Sequence, residues 1–247
     1  MTAVASGRTV GIMVTARTVE QAGAGRRQRV VALCIGAVVA QVLFVGAALV
    51  VGALEGHGYQ AARHDVSDLG ALTAHHVAIW LPVMGITGAL TMAFAIGALR
   101  PALSRPDLGP PISAWLVAVS LPALDNLGDA FFRLDCRMAD AGCTAAASTA
   151  SWHGKMHYAV FFLAAIPTLI APFALARRMA RLTEWIDLAP AVRRFGFLVI
   201  AGFVVTLATT DTGVQGWTQR GLIAIVCGGI VALALQVVRR PATPPRG

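Results

Sequence analysis

Charge is scarce in this sequence, and lysine is nearly missing. Charged residues make up 13% of the 247 positions, about half of what a soluble domain carries. Of the 20 basic residues only Lys155 is a lysine. No stretch between the apolar runs exceeds 22 residues, which excludes a folded domain outside them. No second cysteine pair accompanies Cys136 and Cys143, so a closed zinc ribbon is not expected. No internal repeat is strong enough for an inverted-repeat transporter. The net charge of +8 and pI near 10.6 would suggest nucleic acid in a soluble chain. Here the arginines sit in short segments and tails, with no basic helix face or aromatic-interleaved strand, and nucleic acid is excluded as a partner.

What remains is apolar. The hydrophobic fraction is 57% and the mean hydropathy +0.70, more than one water-facing globule can hide. Lipid must be the solvent for most of the chain. Uncharged apolar runs long enough to span a bilayer occur at Val30–Leu54, Val77–Leu99, Ile112–Phe132, Trp152–Ala176, Phe195–Thr210 and Gly221–Val238. The fold class expected is all-α, a polytopic membrane bundle of six transmembrane helices over 30–238. Residues 1–29 are expected to be a disordered tail and 239–247 a second tail. The first run is too long for a signal-peptide core and stays as an anchor. The fifth run, 16 residues, reaches only about 24 Å at 1.5 Å per residue; Arg194 and Asp211 should mark its two interfaces.

Orientation follows from the arginines. The two tails and the 100–111 and 177–194 segments hold 15 basic residues, and the opposite side holds five. An excess of Lys/Arg marks the cytoplasmic face, so both termini are expected inside. Trp80, Trp152 and Trp217 would then form an outer aromatic belt, with Trp115 and Trp185 an inner one. Close helix contacts are expected at Gly36, Ala40, Gly85, Gly88, Gly97, Gly228 and Gly229.

In this orientation all six histidines and eight of the twelve acids face outward. Asp125 lies about two turns below the outer end of the third run, with Asp129 and Arg133 following at helical spacing on the same face. A carboxylate at that depth needs a partner, a proton or the bundle interior. It is either a structural element, with Asp129 paired to Arg133 and Asp125 bonded to Asn126 or a neighbouring helix, or a proton or ligand site. His153 and His157, at i and i+4, share a face in the way a metal requires; the bland alternative is two interfacial histidines bonded to carbonyls or carboxylates. With Asp125 they make a candidate metal set, for which a divalent ion such as zinc is the cofactor. Asp65, Ser67 and Asp68 precede the second run, where Thr73 is the expected N-cap. Asp211, Gln219 and Arg220 add a donor-rich edge suited to a phosphate or carboxylate head group. Cys136 and Cys143 face an oxidising compartment, and a disulfide between them would close a loop worth about 2.5 kcal/mol, with metal ligation the alternative.

These pieces together resemble a bacterial family of six-span membrane proteins grouped as domain of unknown function 998. The likeness runs from about residue 30 to 238. It rests on Ser67-Asp68-Leu69-Gly70, on Asp135-Cys136 with Cys143, on Gly154 through His157, and on Gln219-Arg220-Gly221. It implies six helices and an outer-face site built from these residues, in the inner membrane of a bacterium, and supplies no activity. Asp125, Asp129 and the doubled His75-His76 go beyond the family pattern.

Three functions compete on this reading. The first is a non-catalytic membrane protein that binds or moves a lipid-like amphiphile in a pocket of Asp65, Ser67, Asp68, Asp125, Asp129, Arg133, His153, His157, Asp211, Gln219 and Arg220. Its partners are membrane lipid and a lipid-like small molecule. The second is a membrane-embedded metal-dependent hydrolase or transferase using His153, His157 and an Asp. The third is an accessory subunit with a merely structural polar mouth.

Overall fold

The computed structural model describes residues 6–56, 58–210 and 212–240, with side chains from residue 23 onward. Five long helices dominate: α1 Ser6–Leu54, α2 Val77–Phe94, α3 Trp152–Met179, α4 Ala189–Ala208 and α5 Gln215–Arg239. A π turn at Ala95–Leu99 carries α2 on to Leu103. All five are long and apolar enough to cross a membrane, and no strand occurs among the described residues. Large apolar side chains cover the outside, Val42, Phe162, Ile166 and Leu207 among them, the last 71% exposed. Hydrocarbon, which gains nothing from their burial, is the solvent that tolerates them. The chain is an all-helical, multi-pass membrane protein.

The third apolar run is not one helix. It forms Ile112–Ala118, opens at Ser120 into extended backbone (ψ 172°), and re-forms through a π turn at Leu121–Asp125 and a last turn at Asn126–Asp129. Pro122 explains the break: it has no N–H to give, clashes with the preceding turn, and is at home at the start of the next. The Leu121 N–H freed by the break donates to the Thr168 hydroxyl of α3 at 2.8 Å. Irregular backbone is tolerated at membrane depth only where protein satisfies it in this way.

Three boundaries differ from the sequence expectation. The helix of the first run continues back to Ser6, where a tail without structure was expected; no proline interrupts 1–29. Residues 1–5 and 241–247 lie outside the described residues. Helix α4 begins at Ala189, six residues before the apolar run, so it is 20 residues long and Arg193 and Arg194 belong to its first turns. Helix α5 begins at Gln215, which places Gln219 and Arg220 inside a helix.

The helices meet through small residues, as lipid-solvated bundles must. At Gly88 on α2 a Cβ would lie 2.5 Å from Leu127 N and 2.6 Å from Ala123 O of the broken segment. Gly97 and Gly229 receive the side chains of Leu33 and Phe195, whereas Gly228 faces open space. Trp115, Trp152 and Trp217 are exposed, as a belt requires, but Trp80 and Trp185 are core residues.

Bonds between loops sort the helix ends into two faces. On one, buried Arg178 donates to the carbonyls of Leu103 (2.9 Å), Leu108 (2.8 Å) and Gly109 (3.1 Å), Arg105 pairs with Glu184 and Arg240 with Asp187. On the other lie Glu55, His75, Arg137 and Arg220. Residues 109–133 therefore run from one face to the other despite the break.

Gly88→Ala is expected to cost about 1–3 kcal/mol, because the clash is with backbone that no rotamer relieves. Gly221→Ala, with nothing within 4 Å, should leave the melting temperature in detergent unchanged or slightly higher. Equal melting of the two variants would contradict the α2 packing described here.

Candidate functional site

Helix α1 stops at Leu54, and the next residue, Glu55, is wholly buried. Its carboxylate accepts hydrogen bonds from the backbone N–H groups of His75 (2.8 Å) and His76 (3.3 Å), and from Arg137 Nη1 (2.6 Å). The imidazole Nδ1 atoms of His75 and His76 lie 3.2 and 3.1 Å away. Burial would raise the Glu55 pKa, but these donors outweigh it and hold the group below the usual glutamate range. Glu55 thus holds the two residues that lead into α2, whose N-cap is His76 and not the expected Thr73. Thr73 instead donates to Asp140 and accepts from the Arg137 N–H. Arg137 completes a fork on Asp140 at 3.0 and 2.6 Å, inside the loop closed by the Cys136–Cys143 disulfide. Burial raises Asp140 too, and the bonds from Arg137 and Thr73 again prevail and lower it.

A second group binds the 59–66 loop to α5. Gln219 accepts the Val66 N–H at 2.6 Å, and Gln215 donates to Asp65 at 2.9 and 3.1 Å. Arg220 donates to the carbonyls of Ala61, His64 and Gly216 and to the Tyr59 hydroxyl. Gly216 is required here, since a Cβ would meet Ala61 O at 2.3 Å. Burial pushes the Tyr59 hydroxyl up to about 12. Asp65, Gln219 and Arg220, expected to line a pocket, are spent on holding this loop. Asp211 lies outside the described residues.

The remaining predicted residues converge on a third place. A 3-10 turn at Ser67–Gly70 faces the end of the broken segment and the first turns of α3. Ser67, Gly70, Asp129, Phe132, Arg133 and His157 wall a crevice too narrow, as it stands, for a water molecule. His157 Nδ1 is 3.2 Å from the Phe132 carbonyl, which it is aligned to hydrogen-bond, and 2.8 Å from Asp129 Oδ1, a close approach without that alignment. The expected Asp129–Arg133 pair is absent. The helix ends at Asp129, so Arg133 leaves that face and donates to the Gly70 and Ala71 carbonyls at 2.8 and 2.7 Å. Asn126 bonds the Pro122 carbonyl, not Asp125. Three sealed carboxylate oxygens, Asp68 Oδ2, Asp125 Oδ1 and Asp129 Oδ1, have no hydrogen-bond partner, and burial raises Asp68 to about 7.

The metal set is not assembled. The buried stripe of α3 runs through Gly154, His157, Val160 and Ala164, and His153 sits beside it, exposed and 4.2 Å from the Trp152 ring. Among the described residues no three His, Cys, Asp or Glu side chains gather as a metal would need. Nearer the other face, an apolar cavity of about 240 Å³ lies between the broken segment, α3, α4 and α5, walled by Val117, Pro122, Pro172, Phe195, Val199 and Leu233. Sequence reasoning missed Glu55, Arg137 and Tyr59. An acid directly after an apolar run was the available signal for Glu55.

Removing one partner of a buried ion pair leaves the other uncompensated. Arg137→Met should therefore destabilise by about 3–5 kcal/mol, and Glu55→Gln/Arg137→Met by less; a double variant as weak as the single would refute the pairing. The pH dependence splits by sign. Glu55 and Asp140, lowered on folding, contribute stability that is present above their unfolded pKa and lost as pH falls through the folded one. Asp68, raised from 3.8 to about 7, does the opposite, and stability falls as pH rises across that window. Asp68→Asn should raise the melting temperature more at pH 8 than at pH 4, and an equal gain at both would count against a buried, protonated Asp68.

The four motifs picked out in the sequence, Ser67–Gly70, Asp135-Cys136, Gly154–His157 and Gln219–Gly221, all meet at this one end of the bundle. Asp135 accepts the Ser151 N–H at 2.7 Å, and Ser151 caps α3 through the Gly154 N–H. No curated protein and no solved structure matches the chain. The family described as "Protein of unknown function (DUF998)" matches residues 38–236, most of the chain and all of these motifs, and the protein belongs to that family.

Proposed function

We propose that this protein crosses a bacterial inner membrane six times, with both tails in the cytoplasm, and binds or moves a lipid-like amphiphile. Its polar end would sit at the outer-face crevice of Ser67, Asp129, Arg133 and His157, beside Asp68 on the same turn as Ser67, and its tail would follow the apolar cavity. One observation carries this reading: a single broken segment walls both places. Val117, Ser120 and Pro122 line the cavity and Asp129, Phe132 and Arg133 the crevice, with the unpartnered Asp125 Oδ1 between them. Drug-sized sites run to about 300–1,000 Å³; the cavity is smaller and suits part of one chain rather than a whole lipid. Arg133, half-buried at the rim, supplies the cation that a phosphate or carboxylate head group favours.

Photo-crosslinking with a diazirine fatty acid in phospholipid vesicles tests it. Adducts are expected on 112–133 and α4, and Val226→Trp, which fills the cavity, should remove most of them. Adducts confined to outward residues such as Val42 and Leu163 would sink the reading. Reporter fusions at 105, 145 and 185 check the orientation, and an outward signal at 185 would reverse it.

A further inference from the structure

We propose that Ser67, His157 and Asp129 form a metal-independent acyl-transfer site that cleaves an ester bond of the bound amphiphile. The inference rests on the amphiphile reading and adds a reaction to it. Its geometry begins with the histidine. Asp129 Oδ1 and the Phe132 carbonyl both face Nδ1, so in the neutral ring Nδ1 carries the hydrogen and Nε2 keeps its lone pair. That is the tautomer a general base needs. Asp129, buried with it, is a positioning residue that fixes the ring and compensates the imidazolium that forms.

Ser67 shares the crevice with His157. It is half-buried, and no hydrogen bond of its hydroxyl occurs among the described residues, so the oxygen is not engaged elsewhere. The turn that carries it is braced on every side. Gln219 holds the Val66 N–H, Asp68 accepts the Met138 N–H at 3.2 Å, and Arg133 clamps the Gly70 and Ala71 carbonyls. A nucleophile on so constrained a turn loses little freedom on attack. Arg133 spends Nε and Nη2 on these carbonyls and also lines the crevice, so a cation stands close to negative charge developing on a carbonyl oxygen there.

The reaction balances with water as the only co-reactant. Ser67 Oγ forms a bond to the ester carbonyl carbon while its proton passes to His157 Nε2. The tetrahedral adduct collapses by breaking the bond to the alcohol oxygen, which leaves with the proton from Nε2. Water then attacks the acyl-serine in the same way, giving its proton to Nε2, and the acid departs as Ser67 recovers its hydrogen. No metal or redox partner enters.

The test is covalent labelling of the full chain in lipid nanodiscs with an alkyl fluorophosphonate, read by intact and peptide mass. Wild type should gain one adduct, on Ser67, in the presence of EDTA. Ser67→Ala, a small change in a half-exposed turn, should gain none. Asp129→Asn should slow labelling on the order of 10⁴-fold, as in established triads, and alter its pH profile, which loss of packing alone would not do. Wild type that stays unlabelled while monodisperse and disulfide-bonded overturns the proposal, as does an adduct that survives Ser67→Ala. Fatty-acid crosslinking that persists without any phosphonate adduct removes the reaction and leaves the binding reading standing; loss of both removes both.

Discussion

Glu55 has no access to water, and the end of the bundle that holds it is organised around that fact. A bare carboxylate in such a place is costly by several kcal/mol, so donors must be brought to it from distant parts of the chain. Two are the N–H groups of His75 and His76, the residues that lead into α2. The third is Arg137, 82 residues away, carried on a loop that the Cys136–Cys143 disulfide closes. One buried charge thereby ties the end of α1, the start of α2 and the 136–143 loop into a single assembly.

Backbone satisfaction imposes the second constraint. Membrane-depth N–H groups cannot turn to water, so the interruption at Ser120 needs the Thr168 hydroxyl exactly as Glu55 needs Arg137. The break has a use. A straight helix from 112 to 132 would have presented one continuous stripe; the kinked segment opens a cavity against α3, α4 and α5, then re-enters the helix in time to deliver Asp125 and Asp129. Gly88, with no side chain, lets α2 close over that re-entry.

The spans were legible because twenty apolar residues in a row have one physical explanation, and α3 came out at nearly its expected bounds. The end of each helix was less legible. The amphipathic starts of α4 and α5 carry Arg193, Arg194, Gln219 and Arg220, which hydropathy excludes from a span although a helix accepts them readily. The break at Pro122 was written in the sequence but hidden by the apolar run around it. Long-range pairing was not legible at all: helical spacing put Arg133 beside Asp129, and the end of the helix at that very residue sent it to the Gly70 carbonyl. Local periodicity fixes neighbours only while the helix lasts. The same limit separated His153 from His157, since one position on α3 faces the bundle and the other its edge. Arginine asymmetry was read as topology alone, yet Arg178 is also a buried clamp on three carbonyls.

The polar residues of this end divide by whether the structure has already used them. Asp65, Gln215, Gln219 and Arg220 are consumed in fastening the 59–66 loop to α5, and Glu55, Arg137, Asp140 and Thr73 in joining the segments around α2. What these bonds leave over, buried and without a partner, is Asp68 Oδ2, Asp125 Oδ1 and Asp129 Oδ1. Leaving such groups unpaired in a low-dielectric setting costs free energy that a purely structural mouth has no reason to bear. They are also not scattered, because Asp129 belongs to the wall of the crevice, Asp68 to the turn that carries Ser67 and Asp125 to the turn that leads into Asn126–Asp129. At this end of the bundle the protein's own bonds stop short at three carboxylate oxygens, and those are the atoms for which a proton or a bound donor would supply the missing partner.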